Sequence, residues 1–521
     1  MRPCFVNRLL LSPPTTCSRR SFHHAFPRTR IPDPAIIENS LEKTLEIHRS
    51  ANRQSLIRRV VNRSGTQTSP TRTPLDILTA HENEPTKSPS QQQIPSRKRG
   101  DRIIGAPKRP PRNTRGPNYW AVKWTPKHGR SEECPWLDNI EPDHIFPTGL
   151  SQLDAEIRAF GKYMAPTSRE EQAIDQIMLD IVRILGKSVP HPLQMSGSRR
   201  TGLQMSHSNL NLMLPVTDPA RPPDSIRKPS PNRWKNLLRF RKLLRAVYET
   251  LKQHPDYRVH LSNNLRENPT AVHQPTGLRL QFFYGEDLPA SIEYIQDFLA
   301  EYPSLRPLYI TTRLILETQG LFGPAKSSLD PLALQMLIAA FLKMNHGRFQ
   351  RAGAAGTGYA EPLLAFLNTF GSDIDLTTTG VAIDPPGFFN TDSLKEASST
   401  YDAEDVPAHI RGQRSLITAK KRAGIRGNEA LAGRLCLQDP ANYLRDLGGS
   451  CTRTVELQAA FADAYTRLKG AVDAWEPSQR DAPRTSILGR AVRANFEDFE
   501  SRRAKIANNT VTRSIAGSTA L

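Results

Sequence analysis

The chain has 521 residues, with 71 Lys+Arg against 51 Asp+Glu, 43 Pro and 37% apolar residues. That length accommodates two or three domains, while the low apolar and high proline content require part of the chain to stay unpacked. No apolar run approaches the roughly 18 residues of a membrane span. Cys4, Cys17, Cys134, Cys436 and Cys451 form neither a CxxC pair nor a zinc spacing, which argues against a disulfide scaffold or a zinc module.

The positive charge is concentrated at one end. Residues 1–130 hold 25 Lys+Arg and 8 Asp+Glu, whereas the remaining 391 hold 46 and 43. Residues 1–30 contain six Arg and no acid, mixed with Ser, Thr and Leu. This is the composition of a mitochondrial transit peptide, and it sets the expected location as the mitochondrial matrix. Residues 31–130 read as a basic, largely disordered arm. Within it, Ile37, Leu41 and Leu45 recur at four-residue intervals and predict one amphipathic helix over 34–61. From Asn62 to Gly116 the composition cannot form a packed core. Two readings of this polybasic stretch stay open: a phosphate-binding arm and a solvated linker.

Packed texture begins near Trp136. Residues 149–187 predict two amphipathic helices around Pro166, the second capped at Ser168 and carrying Ile174, Ile177, Met178, Ile181, Ile184 and Leu185 at helical spacing. Residues 192–216 then read as a short strand, a Gly197-Ser198 turn, a brief helix, and a strand in which Leu210, Leu212 and Leu214 alternate.

This order resembles the nucleotidyltransferase fold of the DNA polymerase beta type, and within it the branch of RNA-tailing poly(A)/poly(U) polymerases. Later segments fit in the same order. TGLRLQFFYG (276–285) is similar to the second active-site strand, LRPLYITTRLILETQGL (305–321) and SSLDPLALQMLIAAFLK (327–343) to the first central helices, and EPLLAFLNTFG with GVAIDPPGFF (361–371, 380–389) to the module after them. LCLQDPANYLRDLGGSCTRTVELQAAFADAYTRL (435–468) is similar to the closing segment. The resemblance spans roughly residues 149–470. It implies an α/β nucleotidyltransferase domain with a short mixed sheet over 131–290 and a mainly helical central domain over 291–475. A C-terminal tail, 476–521, would carry one further helix.

The resemblance also implies a site. Gly197 and Ser198 would cradle a triphosphate through backbone N–H groups and a hydroxyl. Two metal ions would be held by two Asp at alternate strand positions and a third on a neighbouring strand. Here those places fall on Asn209, Asn211 and Gln281. The family's two phosphate-facing Lys fall on Arg313, which would still hold a phosphate, and on Glu317, which would repel one, and its Ser-Ser-Tyr falls on Asp330-Pro331-Leu332. Asp446 matches an acid near the base edge, and an exposed loop Asp there would carry little meaning. His207 is expected on the surface. Gly371-Ser372-Asp373-Ile374-Asp375 spells an active-site phrase about 160 residues too late, and reads as an acidic turn ending a helix.

No cofactor is therefore expected. The sequence points to a mitochondrial RNA-binding relative of the poly(A) polymerases with a silent or impaired site. Its partners would be RNA and a mitochondrial ribosome, a transcript-processing complex or an active polymerase. The alternative is a live polynucleotide adenylyltransferase extending RNA 3′ ends with Mg or Mn, its metals held by Asp373 and Asp375, Asp218 or Glu286. A purely structural subunit without RNA contact is the third reading.

Overall fold

The computed structural model describes residues 40–61, 122–124, 134–141, 144–216, 234–260, 269–285, 289–323, 327–349, 358–402, 405–476 and 485–518. The expected transit peptide and most of the basic arm, Ile37 included, lie outside the described residues. The described residues from Leu41 onward belong to one compact unit.

The first helix, α1 (Ser40–Val61), buries Leu41 and Leu45, two of the three residues whose spacing predicts it. Arg49 Nε donates to the Pro440 carbonyl at 2.9 Å, its guanidinium pairs with Asp384, and its Cζ lies 5.0 Å from the Tyr443 ring centroid.

Helices α2 (Gly149–Met164) and α3 (Ser168–Leu185) follow. Each begins with a reciprocal capping box, Thr148 with Ser151 and Thr167 with Glu170. The α3 cap thus lies one residue before the expected Ser168. Next come β1 (Gln194–Ser196), the one-turn α4 (Ser198–Thr201), β2 (Leu210–Pro215), α5 (Trp234–Lys252), β3 (Tyr257–His260), β4 (Thr270–His273) and β5 (Leu278–Gly285). The five strands form one mixed sheet in the order β1-β2-β5-β4-β3, parallel only between β2 and β5. Ile174, Ile177 and Ile181 of α3, with Val247 and Leu251 of α5, pack on Leu210, Leu212, Leu280 and Phe282 to make this lobe's core.

The second lobe is mainly helical. It contains α6 (Ser291–Glu301), α7 (Leu305–Thr318), α8 (Pro331–Met344), α9 (Ala360–Asn368), β6 (Gly380–Ile383), β7 (Pro386–Phe389), α10 (Thr391–Ser399), α11 (Ala408–Ile425), α12 (Glu429–Ala432), β8 (Leu437–Gln438) and α13 (Thr454–Asp473). A three-stranded sheet β7-β6-β8 sits within it. The one-turn α14 (Gly489–Val492) and the 22-residue α15 (Glu497–Ser518) follow.

The helices over 149–187, whose sequence leaves open which lobe they join, divide between the two: Leu153, Ile157, Phe160 and Met164 of α2 belong to the helical core beside Tyr309 and Leu337, while α3 belongs to the sheet. The segment 476–521 is no appendage. Ile487, Leu488, Val492, Phe496 and Phe499 are buried in the helical core, and Ile506 enters the sheet core. The fully buried Glu156 carboxylate of α2 accepts from the backbone N–H groups of Ile487 and Leu488, both at 2.9 Å. Arg503 of α15 pairs with the buried Glu170 of α3 at 3.2 Å.

Candidate functional site

The turn between β1 and β2 sits where the two lobes meet. Gly197 has φ +70° and ψ −153°, a combination that only glycine occupies without strain. A Cβ at this position would lie 2.4 Å from Nδ2 of Asn211, so the turn is packed directly on that side chain. The carbonyl of Gly197 accepts from Arg200 and Thr201, and that of Ser198 from Leu203, which closes the turn. From the helical lobe, Gln296 donates to the Arg200 carbonyl at 2.9 Å and Arg306 to the Gly202 carbonyl at 3.1 Å.

Asn211 is paired with Ser196 in β1 and with Gln281 in β5. Strand partners in register project to the same face, and so does Asn209 two residues earlier; Leu210 and Leu212 point to the opposite, fully buried face. The structure therefore sets Gln281 beside Asn211, against which Gly197 packs; Asn209 lies one residue before β2, and Ser198 follows Gly197 in the turn. Oδ1 of Asn211 is buried without a hydrogen-bond partner among the described residues.

The loop leading into Asn209 is held from behind. Half-buried Arg199 donates through Nη2 to the Ser208 carbonyl at 2.9 Å and the Ser206 carbonyl at 3.4 Å. Burial pulls its guanidinium down to about 10, with carboxylates of α3 opposing. Ser206 also donates to Glu170. Burial would raise the Glu170 pKa, but bonds from Ser206, Thr167 and Arg503 leave it below the ordinary value. In the sequence Glu170 reads only as a first-turn residue of α3 and Arg199 carries no local signal, because their roles here depend on contacts across the fold.

Other expected site positions are differently placed. Arg313 and Glu317, one turn apart on α7, bond each other at 2.7 Å (Nε to Oε1), both side chains nearly buried. Nε2 of His207 lies 3.3 Å from both Glu317 Oε2 and Arg313 Nη2. Burial would raise the Glu317 pKa, yet Arg313 and His207 outweigh it and hold the carboxyl at about 2. His207 is not a surface residue. Its ring packs against Trp124 and Phe499, and burial drives its pKa below the usual imidazole range. The guanidinium expected to bind phosphate thus already has a carboxylate partner, because the fourfold spacing sets Glu317 directly beside it.

Asp330 caps α8, accepting from the Leu332 N–H at 2.9 Å with Pro331 in the first turn. Asp446 is not an exposed loop acid. It accepts from the Leu437 and Gly448 N–H groups at 3.1 and 3.0 Å and pairs with Arg434 at 3.3 Å, bracing its own turn. Asp373 ends a π-turn, Thr369–Asp373, and accepts from Asn368; Asp375 accepts from Thr377 and Thr378. Asp218 and Glu286 lie outside the described residues.

A family-type pair of divalent ions does not fit the donors at the turn. Magnesium relies on anionic oxygens beside its waters and substrate phosphates, and Asn209, Asn211 and Gln281 offer only neutral amide oxygens. Among the described residues, no group of three or more His, Cys, Asp or Glu side chains could hold a metal ion. No helix there is long and apolar enough to cross a membrane.

No family model matches the chain. The curated poly(A) RNA polymerase cid14 of Schizosaccharomyces pombe is 22% identical over 351 residues, which are 65% of this chain and 43% of cid14; the chain thus matches less than half of that relative's length. Among solved structures, the polymerase core of TRAMP, an RNA surveillance complex, superposes with a TM-score of 0.50 at 17% identity, over 70% of this chain and 99% of that one. The two-lobed architecture is accordingly that of the polymerase beta-type nucleotidyltransferases.

Proposed function

We propose that the chain is an RNA-binding member of the poly(A) polymerase-like nucleotidyltransferases, a reading supported by its likeness to cid14 and to the polymerase core of TRAMP, and that its cleft keeps the phosphate-cradling turn without running metal-dependent nucleotidyl transfer. The observation that carries this reading is the register of Asn211 with Gln281 beside Gly197 and Ser198. It supports assigning the ancestral metal positions to amides by strand pairing rather than by alignment alone.

Nucleotidyl transfer builds negative charge between an attacking 3′ oxygen and a triphosphate. Catalysis of that step depends on fixed positive charge at the developing anion, which amides cannot anchor. If each lost carboxylate removes about 3 kcal/mol of transition-state stabilisation, three remove about 9, on the order of a millionfold in rate, although such losses do not simply add. The chain's own groups at the turn, the backbone N–H array and the Ser198 hydroxyl, are suited to hold a phosphate without transferring it. The Arg313–Glu317 pair adds no free cation.

The reading extends to location and partners. The acid-free, Arg-rich first 30 residues support import into the mitochondrial matrix, and the polybasic arm supports RNA binding there. A ribosome, a processing complex or an active polymerase would be the matching assembly.

Full-length protein incubated with an RNA primer, ATP or UTP, and Mg²⁺ or Mn²⁺ tests the proposal. It predicts retained RNA binding and no primer extension above that of an Asn211→Leu variant. Extension abolished by Asp218→Asn or Glu286→Gln would establish a live transferase instead.

A further inference from the structure

We infer that the solvent face of α11 is an RNA backbone contact separate from the cleft. The inference rests on the RNA-binding reading above and places that binding on a definite surface.

The carrying observation is a charge distribution. No acidic residue occurs between Asp405 and Glu429, a stretch that contains Arg411, Arg414, Lys420, Lys421, Arg422 and Arg426. At 100° per residue the helix sorts these groups cleanly. Ile410, Gln413, Leu416, Ile417 and Lys420 are buried, and Lys420 is turned inward, its Nζ donating to the carbonyls of Thr377 and Arg434 at 2.8 and 2.6 Å. The opposite arc presents Arg411, Arg414, Lys421 and Arg422, with Arg426 as C-cap. Four are exposed and Arg411 is partly so. Among the described residues none of the five side chains has a hydrogen-bond or ion-pair partner. Nearby arginines differ: Arg434 pairs with Asp446, Arg445 with Asp439 and Arg453 with Glu456.

Helix stability accounts for only part of this face. The macrodipole favours Lys421, Arg422 and Arg426 at the C-terminal end, but it disfavours Arg411 near the N-terminus, leaves Arg414 unexplained, and does not remove the repulsion between Arg422 and Arg426, four apart. A polyanion offsets both costs. From Arg411 to Arg422 the face runs eleven residues, roughly 16 Å, long enough for several consecutive phosphates. Four of the five cations are arginines, whose planar fork matches phosphate oxygens in pairs. At the C-terminal end Ile425 is 85% exposed, an apolar shelf beside the charges.

The position also suits the arm. Tyr443, over which Arg49 of α1 lies, meets the ring of His409 in the first turn of α11. The described helix of the basic arm therefore docks beside the N-terminal end of this face.

Binding of fluorescent single-stranded oligo(A) and oligo(U) to the full-length chain, measured across a salt series, tests the inference. The variant R414Q/K421Q/R422Q/R426Q should keep the thermal midpoint of the wild type and bind both RNAs 10- to 100-fold more weakly. Its slope of log affinity against log salt should be shallower by about 3, since each lost phosphate contact removes roughly 0.7. The charge-conserving R414K/R422K/R426K should bind within a few-fold of wild type. If the wild type binds RNA and the neutral variant matches it in affinity and slope, the inference fails while the RNA-binding reading stands. If the neutral variant keeps RNA but loses a polyglutamate probe that the wild type holds, the face serves an acidic protein and the inference is overturned. A wild type that binds neither RNA overturns the reading itself.

Discussion

Gly197 and Asn211 are locked together: the backbone of the turn approaches the amide so closely that a single methyl group would strike Nδ2. The turn's φ of +70° adds a second demand for glycine. Gly197→Ala should cost about 1–3 kcal/mol in urea unfolding. Adding Asn211→Ala should recover the collision part only, so the double-mutant cycle should show favourable coupling of about 0.5–2 kcal/mol.

The Arg313–Glu317–His207 cluster closes the cleft side of α7 with buried charge. Glu317→Gln leaves the Arg313 guanidinium unpaired and should cost about 3–5 kcal/mol. The carboxyl has an ordinary value of 4.5 and is held at about 2 in the fold. Its contribution is therefore complete above 4.5 and is lost as pH falls from there toward 2. Unfolding curves of wild type and Glu317→Gln should converge over that window.

His273 on β4 is fully buried, its Nδ1 2.8 Å from the Thr276 hydroxyl, and burial lowers its pKa from 6.5 to about 4. The unfolded chain binds the proton first, so stability is full above 6.5 and declines as pH falls toward 4. Between 6.5 and about pH 5 the loss should be about 1–2 kcal/mol. His273→Leu should flatten this part of the pH profile, read by thermal unfolding.

Glu156 ties the closing segment to α2 through the N–H groups of Ile487 and Leu488 and the Ser486 hydroxyl. Glu156→Ala strands these donors in the core and should cost about 3 kcal/mol or more. Hydrogen exchange should rise first over 486–499.

The site's outline was legible because its signals are local: Gly-Ser after a short strand, and alternation that sets Asn209 and Asn211 on one face. The pairing of Gln281 with Asn211 needed only the order of strands that the family resemblance supplies. What escaped reading depends on distant partners. The spacing of Ile487, Leu488, Val492, Phe496 and Phe499 is interrupted by Gly489 and by the left-handed Arg493, and nothing nearby announces that these residues complete a core built 300 residues earlier. The Arg313–Glu317 spacing is visible in the sequence, but the contact with His207 that completes the buried cluster joins residues 106 apart. The basic face of α11 is visible as an acid-free run, but only the buried half of the helix shows which cations reach solvent.

The central claim is that amides at the turn cannot seat divalent ions. Electron paramagnetic resonance of Mn²⁺ titrated into the full-length chain reads this directly. The free-ion signal should persist undiminished for wild type, and should be quenched at the turn only when Asn209→Asp, Asn211→Asp and Gln281→Asp are combined. One or two Mn²⁺ ions bound per wild-type chain, and released by Asn211→Leu, would contradict it.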